Sequence, residues 1–200
     1  MMKEDGYERL RSINGLVASD APSLLRFSER LIIALPEILD EYYGGLQAES
    51  WAHEYLKTEE QWQRHRDGVR NWVVTVVTQN DAEIEDLARR TGETHVNLEI
   101  HCSWFVASAA HLMALVANKL SSAPDWSASA RDALARRWSY SVSIMVKAYE
   151  DKYMDQVVQR KQEIASLNKI LHQMLIELPE ETPQHQEAWA VAHRLDELLE

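Results

Sequence analysis

The sequence predicts an all-α chain, and three observations carry that reading. Glycine and proline are scarce, 6 and 5 in 200 residues, and sit at punctuation points. Apolar residues recur at gaps of three and four through most of the chain. The one run with β propensity, Val73-Val74-Thr75-Val76-Val77, continues a helical period already set by Trp62, His65, Val69 and Trp72.

The elements follow in order. A short helix covers residues 7–17. Asp20 caps the next helix, with Pro22 tolerated in its first turn, and Leu24, Leu25, Leu31, Ile32 and Leu35 form its stripe. Pro36 is expected to break that helix and open another, which carries Ile38, Leu39, Tyr42 and Tyr43 and stops at Gly44-Gly45. Residues 46–56 read as irregular or as a single helical turn. Thr58-x-x-Gln61 is a capping box. The helix it opens places Trp62, His65, Val69, Trp72, Val73 and Val76 on one face, with Gln63, Arg64, Arg66 and Asp67 off it.

Asn80 or Asp81 caps a short helix with Ile84, Leu87 and Ala88, which Gly92 is expected to end. His95 then lies at a junction, ahead of a long helix striped by Leu98, Cys102, Phe105, Ala109, Leu112, Val116 and Leu120. Ala107, Ser108, Ala110 and Ala114 make another side of that helix small enough for close approach. After a turn at Pro124, helical pattern runs over residues 127–178, beyond ordinary globular length. Val157, Ile164, Leu171 and Leu178 repeat every seven residues with Leu167 and Met174 between them, a heptad signal for pairing, expected between chains. The segment Pro179 to Pro183 interrupts it, and an amphipathic helix with Trp189, Ala192, Leu195 and Leu199 follows.

Composition narrows the function classes. Lys and Arg number 21 and Asp and Glu 32, a net charge of −11, which argues against nucleic acid or anionic membrane as partner. Cys102 is the one cysteine, so no internal disulfide, Cys-pair zinc site or thioether haem attachment is available. The first residues lack an apolar core like that of a signal peptide, and no run is long enough to span a bilayer. A cytoplasmic location is expected. No G-x-x-x-x-G-K-[ST], H-E-x-x-H or G-x-S-x-G string occurs, nor the GG-[DE]-EF string of a cyclase, and an enzyme is not expected. His172 with Glu177 and Pro179 is only faintly like a kinase phospho-acceptor box, and no nucleotide-binding half follows.

Three side chains are candidates for chemistry. His95, between a polar and an apolar helix, is placed to ligate a planar metallocofactor, or else caps a helix or meets solvent. His65, amid Trp62, Val69 and Trp72, needs a partner for its ring: iron, a tyrosine hydroxyl or a backbone carbonyl. Tyr43 either satisfies a carbonyl or donates to a bound gas. Such a bond to a charged acceptor contributes about 1.5–3 kcal/mol, a tenfold to hundredfold slowing of ligand loss.

The segments Glu41-Tyr42-Tyr43, Glu54-Tyr55-Leu56, Asn71-Trp72-Val73-Val74 and Thr94-His95-x-x-Leu98-x-Ile100 come in an order and spacing that resemble the sensor domain of the globin-coupled sensors, relatives of the protoglobins. The resemblance covers about residues 7–153. It implies a globin-like fold over residues 1–155, with residues 156–200 forming a coiled-coil linker and terminal amphipathic helix. It implies non-covalent haem b, with His95 as proximal iron ligand, Tyr43 as distal donor to oxygen, and His65, Val69 and Trp72 on the distal side. Leu98 belongs to the same proximal motif. The family often has an aliphatic residue where this chain has His65, but some members place a histidine on this helix that ligates the iron as a second axial imidazole. The resemblance therefore opens a six-coordinate resting state, with His95 and His65 both on the metal, beside one in which His65 stays off it. The glycine and proline that often follow the proximal histidine are Glu99 and His101 here.

The implied function is haem-based sensing of dioxygen or another diatomic gas. The expected assembly is a homodimer built on a four-helix bundle, signalling to a C-terminal output domain or a separate partner. The alternatives are a stand-alone haem protein acting on nitric oxide or peroxide, and a haem-free globin-shaped dimerisation module.

Overall fold

The computed structural model describes residues 2–177 and 182–199. Among these there are nine α-helices and no strand. They are α1 (Met2–Ile13), α2 (Asp20–Leu25), α3 (Ser28–Gln47), α4 (Ser50–Tyr55), α5 (Glu59–Thr78), α6 (Asp81–Asn97), α7 (Cys102–Ser121), α8 (Ala128–Glu177) and α9 (Pro183–Leu199). The chain divides into two compact units, residues 1–150 and 151–200.

In the first unit α5 and α6 start on side-chain caps. Thr58 accepts from the Gln61 amide at 3.2 Å, and Gln61 returns the bond to the Thr58 amide at 3.1 Å, closing the capping box of α5. Asn80 caps α6 through the Glu83 amide at 3.1 Å. α1 ends earlier than its sequence pattern, at Ile13, and Gly15 turns the chain at φ 63°. Asp20 is the first residue of α2 rather than its cap, and its buried carboxylate is held by Arg136 at 3.0 Å.

Three expected breaks are not breaks. Pro36 lies inside α3, on its exposed side with Ile32, so the carbonyl that the proline leaves unpaired faces water. Gly44-Gly45 is passed as well, because Leu31, Leu35, Ile38, Leu39, Tyr42, Tyr43 and Leu46 form one buried stripe that holds the helix together. Leu25 and Ile32 are exposed instead, since the chain reorients at Arg26-Phe27 and buried Phe27 takes their place against Trp126 at 5.0 Å.

Gly92 does not end α6, which runs on to Asn97. It marks a crossing: a β-carbon there would come within 2.2 Å of the Met145 carbonyl oxygen, so α6 and α8 touch backbone to backbone. α6 stops five residues later in a Schellman turn, with Glu99 N–H on Val96 O and Ile100 N–H on His95 O, each at 2.9 Å. Leu98 is therefore the C-cap of α6 and not part of α7, which begins at Cys102. Phe105, Ala109, Leu112, Val116 and Leu120 are the buried stripe of α7, while Ala107, Ala110 and Ala114 are exposed.

Arg137, 1 % exposed, ties α8 to the α5–α6 corner. It donates to Val76 O at 2.8 Å, to Gln79 O and to Asp81 at 3.0 Å. One guanidinium thus serves two carbonyls at the negative end of α5 and a carboxylate at the positive end of α6.

In the second unit α9 folds back on the end of α8. Asn168 donates to Asp196 at 2.6 Å, His172 Nε2 lies 3.1 Å from the same carboxylate, and Leu175 and Ala192 are buried. Pairing within the chain therefore uses Asn168 and Leu175, one position past the heptad residues Leu167 and Met174, which stay exposed at 63 % and 55 %. Leu178 and the interruption through Glu181 lie outside the described residues.

Candidate functional site

A cavity of about 510 Å³ opens among α3, α4, α5, α6 and α7, closed on one side by Met145 of α8. Its walls are chiefly apolar and aromatic, including Leu46, Trp51, Val69, Trp72, Phe105 and Leu112. The size suits a drug-sized or cofactor-sized guest, roughly 300–1,000 Å³.

His95 stands in the last turn of α6 and borders the cavity. Its Nδ1 is 2.7 Å from the Thr91 carbonyl one turn earlier. A carbonyl only accepts, so Nδ1 carries the proton and Nε2 keeps a lone pair. Burial pushes its pKa below the usual 6.5, against the opposing pull of the Thr91 bond, which keeps the ring neutral near pH 7. Phe105 packs on it at 4.9 Å between ring centroids.

His65, on α5, borders the same cavity. Burial, and secondly the charge of His95, push its pKa down to about 4. Of the three partners open to it on sequence grounds, the structure supplies the tyrosine hydroxyl: Tyr43 Oη lies 2.5 Å from His65 Nδ1. Tyr43 itself is absent from the cavity wall among the described residues and stands behind His65. Burial raises its pKa above 10, helped by Tyr42 and Asp67 and opposed by Arg66, whose guanidinium lies 5.5 Å from the ring centre. The phenol keeps its proton.

Val69 and Trp72 also line the cavity. Trp72 is locked by its Nε1–H on Ser141 at 2.8 Å and by Trp138 at 4.5 Å. Leu98 lies at the rim, 53 % exposed, beside Thr94 and Arg90.

Sequence reasoning marked the Tyr42-Tyr43 pair without separating its two rings, and it missed other wall residues. Tyr42 borders the cavity directly, its hydroxyl engaged by Ser108. Alternation within a Tyr-Tyr pair does not say which ring reaches a cavity. Arg90 is the only Lys or Arg on the wall among the described residues. Tyr55 lines the mouth and donates to Glu99 O at 3.1 Å, fastening α4 to the turn after His95. Phe105, which its period places only on a packing stripe, also lines the cavity.

A family model described as Protoglobin matches residues 4–155. The chain belongs to the protoglobin family. Protoglobins are haem-binding globins, and the match takes in all of α2 to α7 and every residue of the cavity wall. No curated protein matches the chain significantly. As the sequence predicts, the protoglobin fold here is built of helices with no strand among the described residues, and the long α8 extends past the matched residues. No helix among the described residues is long and apolar enough to cross a membrane.

Proposed function

We propose that this protoglobin is a haem-based sensor of dioxygen or another diatomic gas. In this reading residues 1–155 are the sensor globin and residues 156–200 a coiled-coil linker with a terminal helix. The observation that carries it is the pair of imidazoles on one apolar cavity, with the His95 Nε2 lone pair unengaged among the described residues. The residues present fit a haem. The cavity has the volume, its walls are apolar, and His95 is backed by a carbonyl as iron-ligating histidines usually are. Arg90, paired with Asp86 at 2.9 Å, brings the wall's cationic group to the rim. Haem, when bound, supplies an iron that takes up diatomic gases.

The chain's own residues do the rest. His95 holds the group from α6, His65 faces it from α5, and Val69 and Trp72 exclude water on that side. A displacement of His95 reaches α8 over a short path, because Gly92 lies one turn before it and abuts the Met145 backbone. α8 is a single helix from Ala128 to Glu177. Signalling requires that the gas bind two bundle states with different affinity. The exposed small face of α7 and the exposed row of Leu167 and Met174 suit pairing with a second copy, in a homodimer that acts on a separate or appended output in the cytoplasm. No catalytic role is assigned to the chain.

The test is the absorption spectrum of the purified, haem-reconstituted chain without gas and with oxygen or carbon monoxide. A Soret band that shifts with each gas is expected. A chain that takes up no haem overturns the proposal. For the sensing step, hydrogen exchange along α8 should differ between the gas-free and gas-bound forms, and identical exchange overturns that part.

A further inference from the structure

Two histidines face one cavity, and what stands behind each ring is chemically opposite. Behind His95 is the Thr91 carbonyl, an acceptor. Behind His65 is the Tyr43 hydroxyl, which can donate. Tyr43 is 4 % exposed, and its hydroxyl has no other partner among the described residues. Were His65 Nδ1 to hold the proton, it would donate to the Tyr43 oxygen and leave the phenol O–H buried with no acceptor. Buried donors avoid that state. With the phenol donating instead, Nδ1 is the acceptor, and the single proton of the neutral ring sits on Nε2, the nitrogen left for the cavity.

We propose that Tyr43 is a positioning residue that fixes His65 as its Nε2–H tautomer, so that His65 offers a hydrogen-bond donor to a gas in the cavity and is kept from ligating iron. The inference rests on the haem reading and replaces two expectations carried over from the resemblance. Tyr43 is not the direct donor, since its hydroxyl is engaged by His65. Nor is His65 an axial ligand at rest, since Nε2 has no free lone pair. For His65 to bind metal, its proton must leave Nε2 for Nδ1, and the Tyr43 O–H must turn away from the ring. The balance is one proton moved and one hydrogen bond reversed, with nothing oxidised or reduced. The pair is thus a built-in bias between a donor pocket and a doubly ligated one.

The test uses the haem-loaded full chain, its Tyr43→Phe and His65→Leu variants, and the double variant. Tyr43→Phe keeps the ring that packs against Trp62 at 6.1 Å, so folding is little disturbed. The ferric wild type should be high-spin. Tyr43→Phe should gain a low-spin, bis-imidazole fraction that the added His65→Leu removes. In the diamagnetic carbon monoxide complex, nitrogen NMR of labelled histidines should show His65 protonated on Nε2. Oxygen loss should quicken about tenfold to hundredfold in either single variant, with no further gain in the double. A low-spin wild type that His65→Leu converts to high-spin overturns the inference and leaves the haem reading standing. So does a Tyr43→Phe effect on oxygen loss that persists in the His65→Leu background. Failure to bind haem at all overturns both.

Discussion

The carbonyl oxygen of Thr91 lies 2.7 Å from Nδ1 of His95, four residues on in the same helix. That contact exists because α6 stays helical through Gly92, which brings positions four apart onto one face. It decides the tautomer of His95 from within its own element, with no help from a second helix. If His95 holds haem as proposed, removing the ring should therefore remove that ligand and little else. His95→Gly is expected to weaken haem binding by more than the roughly 10–100-fold that loss of a ligand's supporting partner costs. Added imidazole should restore the Soret band. Unchanged haem titration in His95→Gly would exclude this residue as the ligand.

Gly92 is where α6 meets α8. An alanine there gains about 1 kcal/mol of helix propensity. Its β-carbon would also sit 2.2 Å from the Met145 carbonyl oxygen, a backbone atom that moves only with its helix. The clash wins. Gly92→Ala should lose about 1–3 kcal/mol in denaturant unfolding. A gain in stability would show that the helices separate freely.

Glu99 occupies the left-handed position of the Schellman turn at φ 56°. A side chain there costs roughly 1–2 kcal/mol that glycine avoids. The flexible unfolded state of glycine takes part of that back. Glu99→Gly should raise the midpoint of thermal unfolding, with a net gain of about 0.5–1 kcal/mol. A lowered midpoint would mean that the Glu99 side chain has a partner worth more than the strain.

Arg137 is buried against Val76, Gln79 and Asp81. Arg137→Met fills the volume but leaves the Val76 and Gln79 carbonyls short of a donor, while Asp81 keeps its ion pair with Arg11. The expected loss is about 1–3 kcal/mol. Asp81→Asn should cost less, since it keeps an oxygen facing the guanidinium. Equal losses would contradict that ranking.

Asp20 supplies a pH dependence. Burial alone would raise its pKa, but the Arg136 hydrogen bond, the Val17 amide and the charges of Arg136 and Arg137 outweigh it and lower the value below 3.8. A carboxylate whose folded pKa is depressed stabilises the fold above the unfolded pKa and loses that contribution as pH falls through the folded one. Wild type should therefore exceed Asp20→Asn in stability at pH 7, and the gap should close as pH drops below 3.8. A gap constant down to low pH would remove the ion pair from the account.

Much of the fold was legible because periodicity is a property of the chain itself. The stripe from Trp62 to Val76, the Thr58 capping box and the Asn80 cap needed only neighbours within a turn or two. The two histidines that border the cavity were legible as well: His65 on the inner face of its helix, and His95 through the spacing of the segments that resemble a known family. Pro36, Gly44-Gly45 and Gly92 misled for a common reason. Whether a proline or glycine ends a helix depends on what its backbone meets in space. At Pro36 it meets water, and at Gly92 another helix.

The protein's helical class, the starts of α5 and α6 and its two candidate imidazoles were decided by the sequence alone, through interactions that reach no further than a few residues. Which nitrogen of each imidazole holds the proton was decided only by tertiary structure in the case of His65, whose partner Tyr43 comes from another helix 22 positions away. The same holds for the choice of Tyr42 over Tyr43 as a wall of the cavity. A donor and a lone pair look alike in a string of residues, and only the group packed behind the ring tells them apart.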